Sequence, residues 1–338
     1  MRRVGKRFAR DELRIGFSIR INDKLTELII MNKILTGFIA SALLAAGSMY
    51  GQIEVNENLT VTGFFDMSAT STDDDSGSSS SYNFDQAEID FILSFEDVTG
   101  QVDLNYLGDN STGDFSLEQA FITYDLDNGS SVSAGKFLSY HGWEAAEPTG
   151  LFQYSYAYDL MGTIPGYHNG VTYDYSDDFV TLGLGLLDSV YSADGSIQDS
   201  EYGIEAKAVF TPAEGLTLYL GLAKDSMDTG PDKDLINFWA SYEVGDATYA
   251  VEYNTYDFGS VEGNQWLVMG NWALSDTFGI TARVSDDAID GGESAMKYTL
   301  SPGWTVGENL GMLFEISETD FDTMGSATSF AFETIFSF

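Results

Sequence analysis

From Leu59 onward, apolar residues recur at every second position, the period of a strand with one face in an apolar medium. Leu216, Leu218, Leu220 and Leu222 alternate with Thr217, Tyr219, Gly221 and Ala223. Ile236, Phe238, Ala240, Tyr242 and Val244 alternate with Asn237, Trp239, Ser241 and Glu243. Phe278, Ile280, Ala282 and Val284 alternate with Gly279, Thr281 and Arg283. Similar segments begin near residues 59, 84, 101, 115, 131, 169, 179, 202, 247, 265, 295, 309 and 326. Beyond residue 51 there is no helical period of useful length, so the pattern predicts an all-β chain.

The connections alternate as well. Short ones lie near Asp97–Gly100, Asp127–Gly129, Ser176–Asp178, Pro212–Gly215, Gly245–Asp246, Ser275–Thr277 and Gly307–Asn309. Longer ones lie near 70–82, 108–114, 139–168, 188–200, 226–233, 258–264, 286–294 and 318–325. Long and short take strict turns, long first and last, which predicts about sixteen strands. An even strand count with tight turns at one end and long loops at the other is the layout of a transmembrane antiparallel up-and-down β-barrel. Roughly 18 residues per strand and connection leave room for tilted strands of about ten residues.

Charge placement sharpens this picture. A lysine or arginine facing lipid at mid-membrane costs roughly 2–4 kcal/mol, so bases should avoid the apolar parity. Lys207, Arg283 and Lys297 fall on the opposite parity, Lys233 falls in a loop, and Lys136 and Lys224 fall near strand ends. The carboxylates Asp66, Glu88, Asp90, Asp103, Asp174, Glu205, Glu243, Glu252, Glu315 and Glu333 share the inward parity. A soluble barrel would turn this charged face outward. Alternation groups the charges without saying which face is which, and it is export, aromatic content and loop layout that favour lipid outside.

Composition enters here. The 338 residues include 53 acidic and 15 basic side chains, a formal net charge of −38, no cysteine, and 14% aromatics. Without cysteine there are no disulfides, thiolate metal centres or thiol nucleophiles. So acidic a chain is ill suited to nucleic acid, whose phosphates need lysine and arginine. Nine of the bases precede Gly51: Arg2, Arg3, Lys6, Arg7, Arg10, Arg14, Arg20, Lys24 and Lys33. Met31-Asn32-Lys33, the apolar run Ile34 to Ala46 and the small-residue exit through Ser48 have the form of a secretory signal. We expect residues 1–30 to be a mis-assigned upstream extension, 31–51 a signal peptide, and 52–338 the barrel. At the other end, Phe330, Phe332, Phe336 and Phe338 share one parity, and Phe336 and Phe338 resemble the assembly signal that outer-membrane proteins present to the barrel assembly machinery.

One region carries a more specific resemblance. Ser133-Ala134-Gly135-Lys136-Phe137 leads to Gly142-Trp143-Glu144, then Tyr154-Ser155-Tyr156 and Pro165-Gly166-Tyr167-His168-Asn169-Gly170-Val171. This succession resembles the OmpL-like putative β-barrel porin family, with Gln153 where the family tends to carry asparagine. The match is detailed over roughly 120–175 and stylistic elsewhere. The resemblance implies a channel in the cell outer membrane of a Gram-negative bacterium, without an established substrate.

The longest connection, 139–168, is aromatic and apolar where the other loops are rich in Asp, Ser and Gly. It includes Trp143, Leu151, Phe152, Tyr154, Tyr156, Tyr158, Leu160 and Met161. We expect it to fold into the barrel and narrow the pore, the rival reading being an outer lid or a trimer contact. Glu144, Glu147, Tyr154, Tyr156 and Asp159 would then mark the constriction, faced by Lys207, Arg283 and Lys297. Ten inward acids against three bases favour cations, since the screening length of about 8 Å at physiological salt reaches across a small lumen. The expected function is an outer-membrane porin for passive diffusion of small hydrophilic solutes, with weak cation preference. Expected partners are outer-membrane lipid and lipopolysaccharide, the assembly machinery and two further copies in a homotrimer.

Two other classes compete. A plugged structural or adhesin-type barrel shares the same pattern. A barrel hydrolase would draw on Ser139, His141 and His168, but a serine mechanism needs hydrogen-bond reach and an orienting acid, and the chain has neither a G-x-S-x-G elbow nor an H-E-x-x-H pattern. We assign no catalytic residue, no cofactor and no metal ligand. Asp73-Asp74-Asp75 and the group Asp286, Asp287, Asp290 and Glu293 read as solvated acidic loops rather than calcium sites, and Ser76–Ser81 as a flexible loop tip.

Overall fold

A computed structural model describes residues 52–108, 115–192, 201–228 and 230–338. The expected extension 1–30 and signal peptide 31–51 lie outside the described residues. The chain runs through β1 (Ile53–Asn56), β2 (Leu59–Asp74), β3 (Gly77–Ser94), β4 (Val98–Leu107), β5 (Ser116–Asp125) and β6 (Ser130–Leu138). After a long loop come β7 (Tyr167–Ser176), β8 (Val180–Leu187), β9 (Tyr202–Ala213), β10 (Leu216–Ser226), β11 (Lys233–Val244) and β12 (Ala247–Asp257). The last five are β13 (Glu262–Ser275), β14 (Phe278–Ile289), β15 (Ser294–Val306), β16 (Leu310–Phe321) and β17 (Gly325–Ser337).

From β2 to β17 each strand pairs antiparallel with the next, and β17 pairs with β2, so sixteen strands close into a barrel. Closure satisfies every strand edge, the condition a sheet must meet in a bilayer that offers no water to bare backbone groups. The alternation of tight and longer connections is therefore the barrel's two ends. Short turns carry the backbone chemistry they require: Gly215, Gly245 and Gly307 sit at φ +72°, +59° and +73°, where a Cβ would be strained.

Three details depart from the sequence reading. The short strand β1 was not expected; it pairs with the start of β2, Ile53 opposite Val61. It takes the edge of β2 that β17 leaves free, below Phe338, which exchanges two 2.9 Å backbone hydrogen bonds with Gly63. Second, the expected long loop at 70–82 is paired backbone: β2 and β3 continue to a tight turn after Asp74, and Ser78–Ser81 lie in the ladder rather than at a flexible tip. Hydroxyl pairs line that hairpin and its neighbour: Thr70 meets Ser81 of β3 at 2.7 Å, and Thr72 meets Ser329 of β17 at 2.9 Å. Third, Asp286, Asp287 and Lys233 are strand residues, not loop residues.

The two faces separate as the alternation requires. Leu220, Leu222, Ile236 and Phe238 are exposed on the outer surface, while their neighbours Tyr219, Ala223, Asn237 and Trp239 are buried inside. Apolar side chains outward and polar ones inward invert the soluble arrangement and suit hydrocarbon. At the short-turn end Phe65, Phe336 and Phe338 gather outside with ring centroids 5.7–6.3 Å apart. The packed apolar core lies within the barrel, where Trp143, Ala157, Tyr219, Trp239, Leu267 and Met269 cluster.

Candidate functional site

Residues 139–166 connect β6 to β7 and form no strand; their only regular element is a 3₁₀ turn, Pro148–Gly150. Irregular backbone at membrane depth is stable only where protein satisfies its polar groups. Here the inner wall does so. Glu205 accepts from Ser139 Oγ at 2.6 Å and Tyr140 N at 3.3 Å. Asn237 accepts from Gly142 N, and Glu252 accepts from Trp143 N at 2.7 Å and the Tyr158 hydroxyl at 2.8 Å. Asp287 accepts from Leu160 N at 2.7 Å and Met161 N at 2.8 Å, and Glu315 accepts from Ser155 N at 3.0 Å. The loop carbonyls are met from the same wall: Thr281 donates to Phe152 O, Ser285 to Ala157 O, and Gln265 to Met161 O.

Apolar contacts add to these bonds. Trp143 packs edge-on to Trp239 at 5.4 Å, and Trp239 stacks on Tyr219 at 4.9 Å. Gly221 makes the close approach possible, because a Cβ there would strike the His141 ring. The loop therefore lies inside the barrel, as its composition predicted, pressed against strands β9 to β16.

Each expected constriction residue has a definite place. Glu144 pairs with Arg283 and also accepts from Gln153 Nε2 and Ala157 N, both at 2.8 Å. Arg283, wholly buried, also donates to the carbonyls of Ser155 at 2.8 Å and Tyr156 at 3.1 Å. Asp159 pairs with Lys297 at 3.0 Å and accepts from Thr319. Lys207 pairs with Asp174 at 3.1 Å and stands 3.9 Å over the Tyr140 ring. The Tyr154 hydroxyl meets Ser68 at 3.2 Å across the lumen, whereas Tyr156 folds back to Ala146 O. Glu147 accepts from Tyr167 at 2.8 Å and Gln86 at 3.1 Å.

The inward acids divide into two groups. Glu205, Glu252 and Glu315 are occupied by the loop, and Asp174 by Lys207 and the Tyr140 hydroxyl. Glu243 keeps its parity but is exposed beside the Gly245 turn. Asp66, Glu88, Asp90, Asp103 and Glu333 instead line β2, β3, β4 and β17, joined by Asp85 and Glu118. Among the described residues none of these seven has an ion pair.

Sequence reasoning missed the neutral anchors Asn237, Gln265, Thr281 and Ser285, and Asp287, which it placed in a solvated loop. All sit at inward parity, and that was the available signal. Glu118 was missed for another reason: a bulge shifts the register between Asp103 and Leu104, so Gln119 faces Asp103, Leu117 faces Leu104, and Glu118 is the extra residue.

The histidines prove to be part of the loop's root. His141 and His168 each place Nε2 3.7 Å from Glu205. Ser139 gives its proton to that carboxylate rather than to an imidazole. No serine–histidine hydrogen bond of the kind a hydrolase needs forms among these side chains.

Residues 58–338 match the family model described as putative beta-barrel porin-2, OmpL-like. The chain belongs to this family. No curated protein matches it in sequence. Solved structures share the fold of this porin-2 barrel at low identity. An anion-selective porin from Comamonas acidovorans aligns at TM-score 0.63 and 13% identity, covering 83% of this chain and 99% of that one. The outer-membrane channel DcaP of Acinetobacter baumannii aligns at 0.62 and 14%, covering 83% and 97%. A trimer form of OmpT from Vibrio cholerae aligns at 0.60 and 14%, covering 83% and 100%. The porin-2 barrel is thus an outer-membrane protein of porin type.

Proposed function

We propose that this barrel is a passive diffusion channel for small hydrophilic solutes, with its opening between the inward loop and the acidic wall of β2–β5 and β17. The observation that carries this reading is the asymmetry of the lumen. The loop and its anchors fill one side, while Tyr154 to Ser68 and Glu147 to Gln86 and Tyr167 are the side-chain hydrogen bonds from loop residues 144–160 toward β2, β3 and β7. Arg283, Lys207 and Lys297 are each paired with a carboxylate, so none of them offsets the acidic wall. With a screening length of about 8 Å that field spans a small lumen and favours cations. The Comamonas porin is anion-selective by its description. Selectivity follows the charges lining each lumen, which 13% identity does not carry across.

Planar-bilayer recording tests this. Under a KCl gradient the open steps should reverse at a potential of cation sign; anion sign would overturn the selectivity. A plugged barrel is the second reading, favoured by the near-complete burial of Trp143, Gln153 and Gln265 inside the barrel. It predicts silence in the same recording. A homotrimer, with lipid and lipopolysaccharide around it and assembly directed by Phe336 and Phe338, completes the proposal.

A further inference from the structure

The acidic wall contains a cluster that diffusion through a pore does not require. Glu88, Glu118 and Glu147 each present a carboxylate oxygen, all three within 4.8 Å of one another. Glu88, Asp90 and Asp103 form a second such triad, sharing Glu88. The five side chains come from β3, β4, β5 and the inward loop, and among the described residues no lysine, arginine or histidine pairs with them. Glu118 reaches the group only because the β4–β5 bulge frees it from the ladder.

A second observation is independent of the charges. Asn105 lies opposite Glu88 in the ladder and is 4% exposed. Its Nδ2 donates to Glu118 Oε1 at 2.6 Å, and its Oδ1 is buried without a partner. A flipped amide would set that oxygen against the Glu118 carboxylate, so the orientation is fixed by chemistry. Asp103, 1% exposed, leaves Oδ1 equally unpartnered, as do Asp90 at Oδ1 and Glu118 at Oε2. A neutral amide oxygen, on a side chain bonded to Glu118, and several carboxylate oxygens are thus screened from water and without donors. Buried polar atoms of this kind demand a partner.

We propose that this cluster binds a hard divalent cation, calcium by its ligand chemistry, held between Glu88, Glu118 and Asn105 of the wall and Glu147 of the inward loop. The donors are all oxygens, with neither imidazole nor thiolate among them, which selects calcium or magnesium over zinc and copper. Calcium accepts six to eight oxygens at about 2.3–2.6 Å in flexible geometry, so donors on opposite sides stand about 5 Å apart, in keeping with the observed spacing. Magnesium demands a tighter octahedron than oxygens borrowed from three strands and a loop supply. The bound ion would staple the loop to the wall it otherwise reaches through Tyr154 and Glu147. The site does not depend on conduction, because a sealed barrel would bind as well.

Calorimetric titration of chelator-treated, detergent-folded protein with calcium chloride tests this, with folding checked by the electrophoretic shift between heated and unheated samples. One saturable site per chain is expected, weakened at least tenfold by Glu118→Gln and by Glu147→Gln. Asn105→Ala, which leaves the net charge unchanged, should weaken it too. Glu333→Gln, an acid of the same wall outside the cluster, should leave it intact. Absence of saturable binding would overturn the proposal. So would equal weakening by Glu333→Gln, or indifference to Asn105→Ala, since either would make the wall a diffuse counter-ion field.

Discussion

Arg283 concentrates the residue-scale physics. It is wholly buried, paired with Glu144 and bonded to two loop carbonyls, so its charge is held by the loop. Removing one partner of such a pair typically costs about 3–5 kcal/mol, because the other charge is left buried and alone. Arg283→Ala should therefore release the loop while the sixteen-strand ladder persists, seen as larger and noisier single-channel currents. Adding Glu144→Gln should recover part of the loss. The sequence set both residues among the expected constriction charges without pairing them, since Arg283 broke the apolar parity and Glu144 lay in an apolar loop. What it did not disclose was that neighbouring acids serve the backbone. Parity places a carboxylate inside without saying whether it meets water or the N–H of Trp143.

At the scale of elements, the strands were legible because lipid outside and polar groups inside impose a period of two on every one of them. The loop's inward course was legible from its aromatics, which would be misplaced in water. Bulges and tapering hairpins were not: one added residue at Glu118 reverses parity locally, and serine-rich strands such as Gly77–Ser94 imitate loop composition. Gly221 illustrates how a strand makes room for the loop. A side chain there would displace His141, whose ring lies T-shaped beside Tyr219 at 6.3 Å. Gly221→Leu should expel the root of the loop, measured as faster amide exchange at Gly142 and Trp143, with exchange of the β14–β15 ladder unchanged.

At the scale of the whole molecule, the account is one of division of labour. Strands β9 to β16 hold the loop, and the proposed channel runs beside β2–β5 and β17, whose carboxylates have no ion pair among the described residues. Because the chain has no cysteine, single cysteines report each face without background. The most direct measurement is bilayer current from Asp66→Cys and Phe332→Cys while a cationic methanethiosulfonate reagent is added. The account predicts open steps in both variants, with current and cation preference falling on modification at position 66 and unchanged at position 332. Absence of steps, or an equal response at the two positions, would contradict a conducting lumen lined by the acidic face.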